Sequence, residues 1–64
     1  METYDIKFKN NDEFKAHIDE LNETNEVIDD EVPEKYPCIM HVIIEEGYDG
    51  WDKIYYSFTY KEDF

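Results

Sequence analysis

The sequence predicts an α+β fold with the element order β-α-β-β, in which a three-stranded, mainly antiparallel sheet carries one amphipathic helix on one face. Residues 3–9 and 51–60 alternate between apolar and polar side chains, whereas residues 14–21 place apolar side chains at helical spacing. Strict alternation is typical of a half-buried strand, and a period of about 3.6 residues is typical of an amphipathic helix. Because 64 residues provide room for one small core, we expect a single acidic domain over residues 1–64.

The first strand and the helix follow from side-chain spacing. On one face of the first strand lie the apolar side chains of Tyr4, Ile6 and Phe8. Asn10, followed three residues later by Glu13, resembles a capping box that starts a helix. The apolar stripe of this helix consists of Phe14, His17, Ile18 and Leu21. We expect the helix to end within residues 22–25, where helix propensity falls.

The second half of the chain predicts a loop and a hairpin. Residues 26–34 contain few apolar side chains and a run of like charge, so we expect a loop with at most a short extended stretch. Residues 38–46 are rich in β-branched side chains and predict a central strand. Gly47 and Gly50 suit a turn before the last strand. That strand directs one set of side chains to the helix, namely Ile54, Tyr56, Phe58 and Tyr60.

The face of the sheet opposite the helix, here called the open face, is expected to be partly apolar. Trp51 and Tyr55 would lie there beside alternate residues of the central strand. Small monomers rarely leave such a surface exposed to water. We therefore expect a possible homodimer, formed through this face or through a sheet edge.

Composition excludes several classes of protein. The chain carries 18 Asp and Glu against 6 Lys, for a formal charge of −12, yet 17% of its residues are aromatic. High net charge with so many aromatic residues indicates a folded acidic domain rather than a disordered tail. The charge disfavours direct binding to nucleic acid or to anionic membranes, and no apolar run is long enough to span a bilayer. A single cysteine, Cys38, cannot form an internal disulfide, so the cytoplasm is the expected location.

The residues that could carry chemistry do not form a recognisable site in the sequence. His17 and His41 have no partners at metal-ligand spacing, and Ser57 has no histidine near it in sequence. Residues 45–52 combine acids and glycines but lack the ligand pattern of a calcium-binding EF-hand loop. We therefore expect no metal, no cofactor and no enzymatic activity.

The distribution of carboxylates is the remaining candidate for function. Acidic side chains follow the helix, the loop and the hairpin turn at Asp12, Asp19, Glu20, Glu23, Glu26, Asp29, Asp30, Glu31, Glu34, Glu45, Glu46, Asp49 and Asp52. Helical positions three to four residues apart are separated by roughly 5–6 Å along the axis, which we compare with two phosphate steps of about 3.4 Å along one DNA strand. A plain solvated surface is the alternative, but small domains normally need a charge of only about 2–8 for solubility. We therefore interpret these carboxylates as phosphate-mimicking contacts to a partner.

In size, charge and aromatic content the chain resembles the small acidic DNA-mimic proteins with which bacteriophages disable host DNA-binding proteins. That group includes inhibitors of uracil-DNA glycosylase, restriction enzymes, CRISPR effectors and the nucleoid protein HU. The resemblance implies an inhibitor in the host cytoplasm that occupies a basic DNA-binding surface, with an HU-like nucleoid protein favoured as its target. Exposed aromatic side chains would add contacts at Tyr48, Trp51 and Tyr55. The alternative is an acidic adaptor that docks a basic protein without competing with DNA.

Overall fold

The fold consists of one helix and a four-stranded mixed sheet. The computed structural model describes residues 1–48 and 50–60. Its elements are β1 (Glu2–Phe8), α1 (Asn11–Thr24), β2 (Asn25–Val27), β3 (Cys38–Glu45) and β4 (Asp52–Thr59). The strand order is β1-β3-β4-β2, with β3 antiparallel to both β1 and β4, and β2 parallel to β4. The α+β class is confirmed, but the expectation of three strands in a mainly antiparallel sheet is wrong.

The additional strand is β2, which lies within the segment expected to be a loop. Three residues are too few to display an alternating pattern, and a parallel pair joins segments that are distant in sequence. Val27 lies opposite Ile54, and the N–H of Ile28 donates to the carbonyl of Ile54 at 2.9 Å. β2 therefore forms the edge of the sheet beside the first part of β4.

The start of α1 matches the predicted capping arrangement. The side-chain oxygen of Asn10 accepts a hydrogen bond from the N–H of Glu13 at 3.0 Å. In turn, the Glu13 carboxylate accepts from the N–H of Lys9 at 2.7 Å, one residue before the cap. Asn25, at the other end, has extended backbone angles and begins β2. Both the capped start and the end within residues 22–25 are therefore confirmed.

The core lies between α1 and one face of the sheet. Even-numbered residues of β1, β3 and β4 share that face, and the buried side chains are Phe8, Phe14, Cys38, Met40, Val42, Ile54 and Tyr56. The ring of Phe14 on α1 packs edge-on against Phe8 of β1 at 5.8 Å and against Phe58 of β4 at 5.7 Å, measured between centroids. One aromatic side chain thus joins the helix to strands on both sides of β3.

Candidate acidic binding surface

The first group of carboxylates lies on the outer face of α1. Its members, here called the helix acids, are Asp12, Asp19, Glu20 and Glu23, and all four are exposed. They avoid the stripe that contains the buried Phe14, as their sequence spacing predicts. A helix rises 1.5 Å per residue, so Asp12 and Glu23 lie about 16 Å apart along its axis. The helix acids therefore form a row rather than a cluster.

The second group lies on the loop after β2. Its members, the loop acids, are Asp30, Glu31 and Glu34, all exposed. The Tyr56 hydroxyl lies 3.0 Å from the carbonyl oxygen of Asp29 and 2.7 Å from that of Glu31. Farther along, the N–H of Glu34 donates to the Tyr60 hydroxyl at 2.8 Å. Two tyrosines of the β4 segment thus hold the loop backbone and leave its carboxylates facing solvent.

The loop also changes the electrostatics around Tyr56. Burial raises the pKa of the Tyr56 hydroxyl, and the nearby charges of Asp29, Asp30 and Glu31 raise it further. The phenol is neutral at physiological pH in any case, and the raised pKa keeps it a donor to the loop to more alkaline pH. The acids therefore stabilise the protonated form of the side chain that holds them in place.

Asp29 differs from its acidic neighbours because its carboxylate is engaged within the protein. Its Oδ2 atom accepts a hydrogen bond from the N–H of Tyr56 at 2.9 Å, and the residue is half-buried. The sequence places Asp29 in the same run as Asp30 and Glu31, without distinguishing its role. The structure separates them: Asp29 completes the edge of β4, while its two neighbours face outward.

The third group lies around the turn between β3 and β4. Its members, the turn acids, are Glu45 and Glu46, which are exposed, and the half-buried Asp52. Asp49, also expected to contact a partner, lies outside the described residues. Asn25 lies opposite Asp52 in the parallel pair, so the end of α1 and the turn occupy the same end of the molecule.

One lysine lies beside two of the carboxylates in the strand register. Lys53 is opposite Glu45 of β3 on one side and Glu26 of β2 on the other. Side chains directly opposite each other on neighbouring strands are about 4.5–5.5 Å apart at Cβ, a separation at which opposite charges attract. The register therefore places a positive charge near Glu26 and Glu45, without a salt bridge to either among the described residues.

The three groups extend along a long, narrow body. Its principal extents are 40 × 21 × 15 Å. The Tyr36 hydroxyl donates to the side-chain oxygen of Asn11 at 3.0 Å, so the far end of the loop lies at the start of α1. The helix acids consequently connect the end of the loop to the turn. A duplex of the same 40 Å length would present about 24 phosphate charges.

The three predicted aromatic contacts occupy different positions. Tyr48 is 86% exposed and Trp51 49% exposed, and the Trp51 N–H donates to the Tyr48 carbonyl at 3.0 Å within the turn. Both residues therefore belong to the same turn as the turn acids. Tyr55 lies instead on the open face, opposite Ile43, and is half-buried. Tyr48 and Trp51 are thus the aromatic side chains available next to carboxylates.

The open face contains a polar chain that the sequence analysis missed. His41 Nδ1 lies 2.8 Å from the Asp5 carboxylate, and His41 Nε2 lies 2.7 Å from the Thr59 hydroxyl. Strand alternation alone could have placed these three side chains on one face, although not in contact. The open face therefore combines this polar chain with apolar side chains such as Ile43, which is 38% exposed.

This acid–imidazole–hydroxyl order occurs in hydrolases, where it also needs a substrate cavity and an oxyanion site. Three grooves on the described part of the surface are lined by residues other than Asp5, His41 and Thr59. The arrangement joins three strands across the face. Its evident effect is to connect β1, β3 and β4 through side chains.

His17 and Cys38 form internal contacts on the helix side of the sheet, whereas Ser57 is exposed. His17 Nε2 lies 2.7 Å from the Tyr4 hydroxyl, and Cys38 is fully buried, which raises the pKa of its thiol. Among the described residues, no group of three or more His, Cys, Asp or Glu side chains could hold a metal ion. Within the same part of the chain, no helix is long and apolar enough to cross a membrane.

No protein-family model, curated protein or solved structure matches this chain.

Proposed function

We propose that this protein is a DNA-mimic inhibitor, of the kind bacteriophages use, that occupies the basic DNA-binding surface of a host protein and blocks DNA binding competitively. The observation that carries the proposal is the exposed row of loop, helix and turn acids along a body 40 Å long. Among the described residues, none of these carboxylates forms a salt bridge. Their negative potential is therefore available to a basic partner.

The chemistry of the target follows from the spacing of the carboxylates. They can replace phosphates in position and charge, but they offer no base edges for sequence recognition. The best target is a protein that binds DNA through its backbone with little sequence preference, such as an HU-like nucleoid protein. Tyr48 and Trp51, exposed beside the turn acids, supply apolar contacts that are typical of tight protein interfaces.

The first experiment is a pull-down from a nuclease-treated bacterial lysate with and without added duplex DNA. We expect the immobilised protein to retain a basic DNA-binding protein and to release it when duplex is added. Unstructured polyglutamate at equal total charge is the matched control, and it should release much less. Retention of a partner that DNA does not displace would overturn the mimic proposal and support an adaptor that docks a basic protein elsewhere.

A binding assay with the purified partner then tests the mechanism. In a competitive mechanism the inhibitor raises the apparent Kd for a labelled duplex without changing the signal at saturating DNA. Both complexes should weaken with salt, because both depend on pairing opposite charges. A reduced signal at saturating DNA would show that the inhibitor acts away from the DNA-binding surface.

A further inference from the structure

The outer edge of β1 is a second binding element. β1 lies at the end of the strand order, with β3 on one side. Between β1 and α1 lies an open groove of about 440 Å³, whose lining includes Ile6, Ala16, Glu13 and Glu20. Lys7 also contributes to the lining, although its side chain belongs to the opposite face of β1. The groove therefore combines a strand edge, small or apolar side chains and two carboxylates.

The direction of the backbone groups follows from the hydrogen bonds of β4. Backbone groups of alternate residues point to opposite edges of a strand. The carbonyl of Ile54 and the N–H of Tyr56 both form hydrogen bonds on the β2 side. Odd-numbered residues of β4 therefore form backbone hydrogen bonds with the odd-numbered residues of β3 opposite them. Even-numbered residues of β3 then form such bonds with the even-numbered residues of β1. The backbone groups of Thr3 and Asp5 consequently point away from β3. The N–H of Lys9 follows the same alternation, since it bonds to α1 rather than to β3.

Two carboxylates of α1 border the groove beside this edge. Glu13 and Glu20 are seven positions apart on α1, or about 10 Å along the axis. The exposed Ala16 lies between them and leaves the space that a larger side chain would fill. Burial raises the pKa of the Tyr4 hydroxyl, and the charge of Glu20 raises it further, which is consistent with a carboxylate held close to β1.

We propose that the β1 edge and this groove bind an extended, Lys- or Arg-rich segment of the protein partner, which adds a fifth strand to the sheet. Strand addition of this kind uses main-chain hydrogen bonds for affinity and alternate side chains for specificity. Basic side chains two to four positions apart, spaced about 7–14 Å on one face of the added strand, reach Glu13 and Glu20. A second copy of this chain does not fit, because each copy carries a charge of −12 and would bring its own Glu13 and Glu20 to the contact.

The inference rests on the proposed function only in requiring a basic protein partner. Basic arms of nucleic-acid-binding proteins have the required composition. In this arrangement the acidic row covers the folded DNA-binding surface, while the β1 edge captures a flexible basic arm that DNA would otherwise order. The two contacts share Glu20, but the strand edge, Ala16 and Glu13 belong to the second contact alone, so a substitution at Ala16 removes it separately.

The test uses the full chain and the peptide Lys-Thr-Lys-Thr-Lys-Thr-Lys, followed by backbone amide NMR. We expect the largest shifts at Thr3, Asp5 and Glu20. The matched control is the same peptide methylated on alternate backbone nitrogens, which keeps the charge but cannot pair with a strand edge. It should bind about tenfold more weakly, because it loses backbone hydrogen bonds. Equal binding of both peptides, or shifts confined to the loop and turn acids, would overturn the inference.

A pair of helix variants tests the groove. Ala16→Arg fills the groove with a cation and should weaken peptide binding about tenfold. Asn22→Arg makes the same change of charge on α1 but outside the groove lining, and should retain binding. Both positions are exposed, so neither substitution disturbs the core. Equal effects of the two variants would show that general charge, rather than the groove, binds the peptide.

DNA competition is measured in parallel with the same variants. If peptide binding does not depend on the groove while DNA competition is intact, this inference is wrong and the proposed function is unaffected. Peptide docking at Thr3 and Asp5 without DNA competition would support this inference and overturn the proposed function.

Discussion

The carboxylate of Asp29 accepts a hydrogen bond from the backbone N–H of Tyr56 at 2.9 Å, so a side chain continues the edge pairing that β2 begins. Tyr56 in turn directs its hydroxyl to the carbonyls of Asp29 and Glu31. The two residues hold each other through both backbone and side-chain groups. This reciprocal contact positions the loop acids and provides the first prediction.

Asp29→Ala should destabilise the protein by about 1–3 kcal/mol, because it leaves the N–H of Tyr56 without its acceptor. For a domain of this size, each kcal/mol lowers Tm by roughly 4–8 °C. Thermal unfolding followed by circular dichroism measures the effect. Asp30→Ala is the control, since Asp30 is exposed, and it should change stability by less than about 0.5 kcal/mol. Equal Tm values for the two variants would contradict the assigned role of Asp29.

Stability should fall at alkaline pH through Tyr56. Its pKa in the folded protein is raised above the ordinary value of 10.0, so the unfolded chain loses this proton first. The contribution of the neutral Tyr56 hydroxyl to the free energy of unfolding is fully present below pH 10.0, and it is lost as pH rises through the pKa of the folded state. Denaturant unfolding at a series of pH values measures the loss. Tyr56→Phe should make the alkaline decline shallower, whereas an unchanged slope would assign the decline to other groups.

Neutralising the loop acids should weaken partner binding without unfolding the protein. The triple variant Asp30→Asn, Glu31→Gln, Glu34→Gln keeps Asp29 and therefore keeps the hydrogen bond to Tyr56. We expect about tenfold weaker binding, since each exposed charge pair contributes about 0.2–1 kcal/mol. Binding isotherms at fixed salt, with circular dichroism as the folding control, measure this.

The helix acids offer a comparison with the same change of charge, namely Asp19→Asn, Glu20→Gln, Glu23→Gln. Unequal losses of affinity between the two triples would show which part of the acidic row makes the closer contact. Unchanged affinity in both would contradict the use of these carboxylates in binding.

Salt should stabilise the free protein while weakening its complex. A formal charge of −12 destabilises the compact state by self-repulsion, and that repulsion is screened as salt rises from about 50 to about 500 mM. Thermal unfolding should therefore show a rising Tm over the range in which partner affinity falls. A Tm independent of salt would mean that the carboxylates are compensated locally by nearby lysines.

Local spacing accounts for much of what the sequence determined. Alternation predicted β1 and β4, and β-branched side chains predicted β3. Helical spacing predicted the stripe around Phe14, and Asn10 with Glu13 predicted the start of α1. These features depend on neighbours within a few positions, so the residues themselves carry the signal. The positions of the exposed acids on α1 follow from the same spacing.

Tertiary structure decided the features that join distant residues. Asp29 and Tyr56 are 27 positions apart, and Asp5 and His41 are 36 positions apart. The pairing of β2 with β4 likewise depends on a partner strand outside the segment that contains Val27. A like-charge run conceals which carboxylate turns inward, because the deciding partner is a backbone N–H on another strand. Sequence therefore determined which residues are acidic, while packing decided which of them stabilise the fold and which remain available to a partner.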